Sequence, residues 1–91
     1  MVIPESVTEI GSYAFYGCKR LKEIKLPPKI TSLDPYVFAG CERLEKVNIP
    51  NGVKVIEDFA FYKCQKLRIV IPPSVIKVGI GCMNWAKQIY K

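Results

Sequence analysis

The chain has 91 residues, 49% of them apolar and 24% charged, with a formal net charge of +6. That length holds one small domain, and the composition excludes an intrinsically disordered chain; no apolar run approaches the roughly 18 residues needed to cross a bilayer. Histidine is absent, which removes the commonest general base and a principal zinc ligand and weighs against an enzyme.

Met1-Val2-Ile3-Pro4-Glu5 has no basic stretch leading into an apolar one, so no signal peptide is expected within this chain; the leader of an exported parent would lie outside it. Met1-Val2-Ile3 reads as the tail of a first strand. An apolar pair follows in "VTEI" (Val7, Ile10), then "GSYAF" enters a compact turn that ends at Cys18. Leu21 opens a new unit whose "IKL" alternates in, out, in, as a half-buried strand does, before Pro27 ends ladder pairing. "ITSL" and "DPYVF" then repeat the apolar pair and the turn, up to Cys41. A third unit runs "LEKVNIP", "VKVI" and "EDFAF" to Cys64. In each unit the turn segment predicts one tight helical turn, too short to persist without neighbours to hold its aromatic.

The units repeat about every 23 residues, which places Phe15, Phe38 and Phe61 in one series and Cys18, Cys41 and Cys64 in another. This period lies in the solenoid range of roughly 20–29 residues. The expected units are roughly 1–20, 21–43, 44–66 and an irregular 67–91, all within a single domain. In the last, "LRIVIPPSVIKVG" is one residue shorter than its predecessors, and Met83 and Ala86 stand where the aromatic and cysteine would be. Such an atypical end reads as a cap, with Trp85, Ile89 and Tyr90 folding over the last coil and a helical turn starting near Asn84. The opening coil carries no cap, so pairing with another copy or with a missing neighbour is expected there.

The stretch "VIPESVTEIGSYAFYGCKRLKEIKLP" closely resembles the BspA-type leucine-rich repeat, whose unit reads L-x-x-I-x-I-P-x-S-V-T-x-I-G-x-x-A-F-x-G-C. The resemblance covers Val2 to about Gly79. It implies a β-rich, right-handed solenoid of stacked short parallel strands, and it is similar to surface proteins and adhesins of bacteria and some protozoan parasites. A cell-surface or secreted parent is therefore implied by the resemblance.

The cysteines ask for a separate reading. Equivalent positions in stacked coils lie about 4.8 Å apart, beyond the roughly 3.5–4.5 Å between Cβ atoms that a disulfide wants. Zinc needs about four converging ligands, and the chain offers neither histidine nor a C-x-x-C pair. Cys18, Cys41 and Cys64 are read as small buried groups filling the core with Phe15, Phe38 and Phe61. Cys82 falls out of register with the other three and is also read as core. Tyr13, Tyr36 and Phe59 form a second aromatic series, read first as packing at a coil corner and second as a ligand-stacking surface. Tyr16 and Tyr62 flank Ala39 at an outward-leaning position.

Charge is uneven. Residues 46–91 carry eight basic and two acidic side chains, whereas residues 1–45 balance six against six. Arg20, Arg43 and Lys66 occupy equivalent positions and predict a basic ladder, either a solvated face or a site for an acidic glycan or acidic surface. No nucleic-acid motif accompanies them, so no nucleic acid is expected. The outward strand positions Glu23, Lys25, Lys46 and Asn48 change chemistry from coil to coil while the inward ones stay apolar, as in a solenoid's binding face. The leading functional expectation is a non-enzymatic binding or adhesion module, without cofactor or metal, that contacts a host or partner protein through these outward strand residues. Its alternatives are an anion-binding module in the basic C-terminal half and an architectural spacer.

Overall fold

The computed structural model describes residues 3–81 and, as backbone, residues 87–90. Seven short strands follow in order: β1 (Glu23–Lys25), β2 (Ser32–Leu33), β3 (Lys46–Asn48), β4 (Val55–Ile56), β5 (Arg68–Ile71), β6 (Lys77–Val78) and β7 (Lys87–Tyr90). The odd-numbered strands build a four-stranded sheet in the order β1-β3-β5-β7, and the even-numbered ones a three-stranded sheet β2-β4-β6. Every pairing is parallel and joins a strand to its counterpart one coil away. The chain is thus the strand-rich solenoid that its period predicts. β1, β3 and β5 are short because a proline follows each, at Pro27, Pro50 and Pro72, and proline has no N–H for the ladder.

The third side of each coil departs from expectation. Among the described residues there is no helix, and the tight helical turn predicted for "GSYAF" and its equivalents is replaced by a chain of reverse turns. Its N–H groups are shared alternately. Val37, Ala39 and Cys41 donate three residues back, to Asp34, Tyr36 and Phe38, whereas Tyr36, Phe38 and Gly40 donate across to Asp58, Ala60 and Tyr62 of the next coil. The physical reason is backbone handedness. Tyr13, Tyr36 and Phe59 have φ of 65°, 60° and 58°, which reverses the local twist and turns every second N–H toward the neighbouring coil.

Side chains from all three sides meet in one core. Phe38, Cys41, Leu44, Ile56, Phe61, Cys64 and Leu67 are fully buried, while Phe15 and Cys18 of the first coil and Leu21 at the start of the second are partly buried against them. Phe15, Phe38 and Phe61 stack with near-parallel rings whose centroids are 5.2 and 5.4 Å apart. That spacing is close to the roughly 4.8 Å between paired strands, so one ring per coil fills the axis.

The shortened fourth unit is absorbed just before its strand. Lys46 pairs with Arg68, so the missing residue is the counterpart of Glu45, between Leu67 and Arg68. In the third unit both Glu45 and Lys46 donate to the Lys22 carbonyl, at 2.7 and 3.3 Å; in the fourth, Arg68 alone donates to Glu45, at 3.1 Å. The second-sheet side of this unit closes tightly on the coil before it. A Cβ on Gly79 would lie 2.6 Å from the Asp58 nitrogen, and one on Gly81 2.6 Å from the Phe59 ring.

The C-terminal segment is also corrected. Asn84 and Trp85, and with them the start of the predicted helical turn, lie outside the described residues, as does Cys82. Residues Lys87–Tyr90 form a strand paired with β5, matching Arg68 to Lys87 and Ile71 to Tyr90. Ile89 and Tyr90 therefore extend the sheet by one rung and belong to no helix.

Candidate binding face

The outward face of the four-stranded sheet gathers the strand residues singled out above. Alternation along β1 and β3 buries Ile24 and Val47 and exposes Glu23, Lys25, Lys46 and Asn48. Register sets Glu23 beside Lys46 and Lys25 beside Asn48. On β5 the same alternation exposes Arg68 and Val70, and the β7 backbone pairs beyond it. Across the strands one row reads Glu23, Lys46, Arg68, and the other Lys25, Asn48, Val70. Acidic at its start, the first row becomes wholly basic; the second passes from charged to apolar.

Asn48 has a structural duty as well. Its side-chain Oδ1 accepts a hydrogen bond from the Leu26 N–H at 2.8 Å, standing in for a ladder acceptor at the end of β1. This fixes the amide, because only the oxygen can accept, and leaves the NH2 group as the donor Asn48 offers to a ligand.

Arg68 and Val70 were missed by the sequence reading. The signal was present: aligning Ile69 and Ile71 of "LRIVIPP" with Val47 and Ile49 puts Arg68 and Val70 outward. The single-residue deletion hid that alignment.

The other basic series lies elsewhere. Arg20, Arg43 and Lys66 are exposed on the turns after the cysteines, off the strands of the sheet. Lys66 and Arg68 share a shallow depression with Glu45, so an acidic group sits within that end of the series.

The aromatic corner is a packed stack. Tyr13 lies on Tyr36 at 4.9 Å and Tyr36 on Phe59 at 5.1 Å, with interplanar angles of 4° and 18°. Tyr16 leans on Tyr13, and Tyr62 meets Phe59 edge-on. Ala39, between the Tyr16 and Tyr62 positions, is buried, so there is no open slot for a ring at that point. The Lys63 ammonium sits 5.5 Å from the Tyr62 ring centroid.

Cys18, Cys41 and Cys64 carry free thiols. Each of the two buried ones is tied to the preceding coil: the Cys41 S–H donates to the Phe15 carbonyl at 3.1 Å and the Cys64 S–H to that of Phe38 at 3.0 Å. Hydrogen bonding with Cys41, followed by burial, pushes the Cys64 thiol far above its ordinary value. Burial, followed by the nearby Cys41, also raises Cys18. Thiols held protonated in this way are poor nucleophiles and poor metal ligands, and they suit the core filling expected of them. Among the described residues, no group of three or more His, Cys, Asp or Glu side chains is placed to hold a metal ion, and no helix is long and apolar enough to cross a membrane.

Comparison with known proteins agrees with this architecture. Residues 1–89 match the BspA type leucine rich repeat region (6 copies). A leucine rich cell surface protein from Faecalibacterium prausnitzii A2-165 superposes with a TM-score of 0.83 at 32% identity, covering 93% of this chain and 24% of that one. A leucine-rich repeat protein from Bacteroides ovatus ATCC 8483 gives 0.84 at 31% identity, over 99% of this chain and 26% of that one. The leucine rich repeat protein of T. pallidum gives 0.73 at 27% identity, over 88% and 51%. The chain thus spans about a quarter of the length of the first two. No curated protein matches it.

Proposed function

Because the chain belongs to the BspA-type leucine-rich repeat family, we propose that it serves as a non-enzymatic binding segment of a larger cell-surface protein, meeting a host or partner protein through the outward face of its four-stranded sheet. One observation carries the reading. Buried positions of β1, β3 and β5 hold Ile24, Val47 and Ile69, while the exposed neighbours change from Glu23 to Lys46 to Arg68. Packing accounts for the first set and places no demand on the second. A solenoid that varies only its solvent-facing rungs makes an extended surface whose chemistry is free to fit a partner. The cell-surface neighbour supports the compartment.

The test is adhesion of beads carrying the chain to immobilised extracellular proteins. A face variant combining Glu23→Ala, Lys25→Ala, Lys46→Ala and Arg68→Ala loses adhesion, whereas a turn variant combining Arg20→Ala, Arg43→Ala and Lys66→Ala keeps it. Equal adhesion by the face variant and the wild type returns the segment to the role of a spacer.

A further inference from the structure

A groove of about 420 Å³ runs along the outward face between β3 and β5. Lys46 and Arg68 stand at one end, Asn48 and Val70 at its middle, Asn51 and Pro72 at the other. We propose that this groove binds an acidic sugar of the uronate class, its carboxylate on Lys46 and Arg68, its ring against Val70 and a hydroxyl oxygen on the Asn48 amide. The inference rests on the reading of the sheet as a binding face and names the chemistry that face selects.

Charge is the first argument. The lining contains no carboxylate, and Lys46 and Arg68 face each other in register. Neither has an acceptor to offer, and both donate. Glu23 bounds the row at β1, and Glu45 lies beside Lys46 and Arg68 outside the groove. An anion is therefore drawn into the β3–β5 groove and away from β1.

The second argument is the fixed orientation of Asn48. Its oxygen is turned to the Leu26 N–H, which leaves the NH2 as the amide's available donor in the groove lining, and a donor there asks for an oxygen acceptor. Residues two apart on one strand face are roughly 6.6 Å apart, so cation and amide are separated by about the width of one sugar ring. Val70, 42% exposed, supplies an apolar wall between them. An acidic pyranose carries carboxylate, ring C–H face and hydroxyl oxygens in that order by its covalent structure. An acidic peptide satisfies the two cations and carries backbone carbonyl acceptors as well, so it is the competing ligand that the experiment must separate.

The experiment is titration calorimetry at low salt with oligogalacturonate, with the same oligosaccharide after carboxyl reduction, and with polyglutamate. Oligogalacturonate is expected to bind and the reduced sugar not to bind. Lys46→Gln, Arg68→Gln and Asn48→Asp are each expected to weaken binding about tenfold or more, since charge-assisted contacts are the strong ones. Asn48→Asp is the decisive variant: it keeps an oxygen for Leu26, so the melting temperature holds, but it turns the groove's donor into a repelling carboxylate. The Arg20→Gln, Arg43→Gln, Lys66→Gln variant binds as the wild type does. Failure of oligogalacturonate to bind, or binding indifferent to Asn48→Asp, overturns the proposal. So does polyglutamate binding as tightly with the same loss in the variants, because the face would then be reading charge alone. If the sugar fails while bead adhesion still depends on the face, this inference falls by itself; if both fail, the binding-face reading falls too.

Discussion

Cys64 donates its S–H to the carbonyl of Phe38, 3.0 Å away in the preceding coil, and so ties the column of thiols to the column of rings. Cys41 repeats the bond to Phe15. The Cys64 thiol fills core volume and adds a second donor to a carbonyl that already accepts from the Cys41 N–H at 3.2 Å.

Chemical access follows from this arrangement. Cys41 and Cys64 are fully buried and Cys18 is partly exposed, so among these three thiols iodoacetamide in native buffer is expected to label Cys18 first and the other two only on unfolding; mass mapping of the labelled peptides checks the order.

Phe38→Ala is expected to cost about 3–5 kcal/mol, because the ring is fully buried and stacked on both faces. Phe15→Ala is expected to cost about half as much or less, since Phe15 is only partly buried and stacks on Phe38. Urea midpoints of the two variants test the ring column, and near-equal losses would contradict it.

A backbone asymmetry separates the third coil from the first two. Gly17 and Gly40 have φ of 69° and 77°, and the equivalent Lys63 has φ of 62°. A left-handed backbone costs an ordinary residue about 1–2 kcal/mol. A Cβ on Gly40 meets only ordinary contacts, the nearest at 3.6 Å, so Gly40→Ala is expected to lose about 1 kcal/mol through conformation alone. Lys63→Gly is expected to raise stability by a smaller amount, since it also gives up the contact with Tyr62. Thermal melts of both variants fix the signs.

Gly79→Ala is expected to be among the most damaging small substitutions. Its added carbon would lie 2.6 Å from the Asp58 nitrogen and 2.8 Å from the Glu57 carbonyl carbon, both backbone atoms without a rotamer to yield. Hydrogen exchange reads the result locally: the N–H of Gly79, bonded to the Ile56 carbonyl at 2.7 Å, is expected to lose protection together with that of Ile80, which is capped by Asp58 at 2.9 Å.

The repeat was legible in the chain because a stack of coils forces equivalent residues into equivalent surroundings, and Phe15, Phe38 and Phe61 recur at the interval that stacking imposes. The left-handed corner was not legible, since tyrosine and phenylalanine do not advertise positive φ as glycine does. Nor was β7, because "KQIY" has neither the opening leucine nor the closing proline of the other sheet-one strands. On the binding face, alternation exposed Glu23, Lys25, Lys46 and Asn48. The tie from Asn48 to Leu26 was hidden, because an asparagine on an outward strand position looks like any solvated amide.

The alternating turn-side N–H groups that reach from Tyr36, Phe38 and Gly40 to the next coil have a mechanical consequence. They lie along the stacking axis, as do the ladder bonds of both sheets, so tension applied at the chain ends peels one coil away before the next is loaded. Each 23-residue turn that detaches lengthens the chain by about 75–80 Å. Under load, a stack of such coils is expected to lengthen in steps of that size.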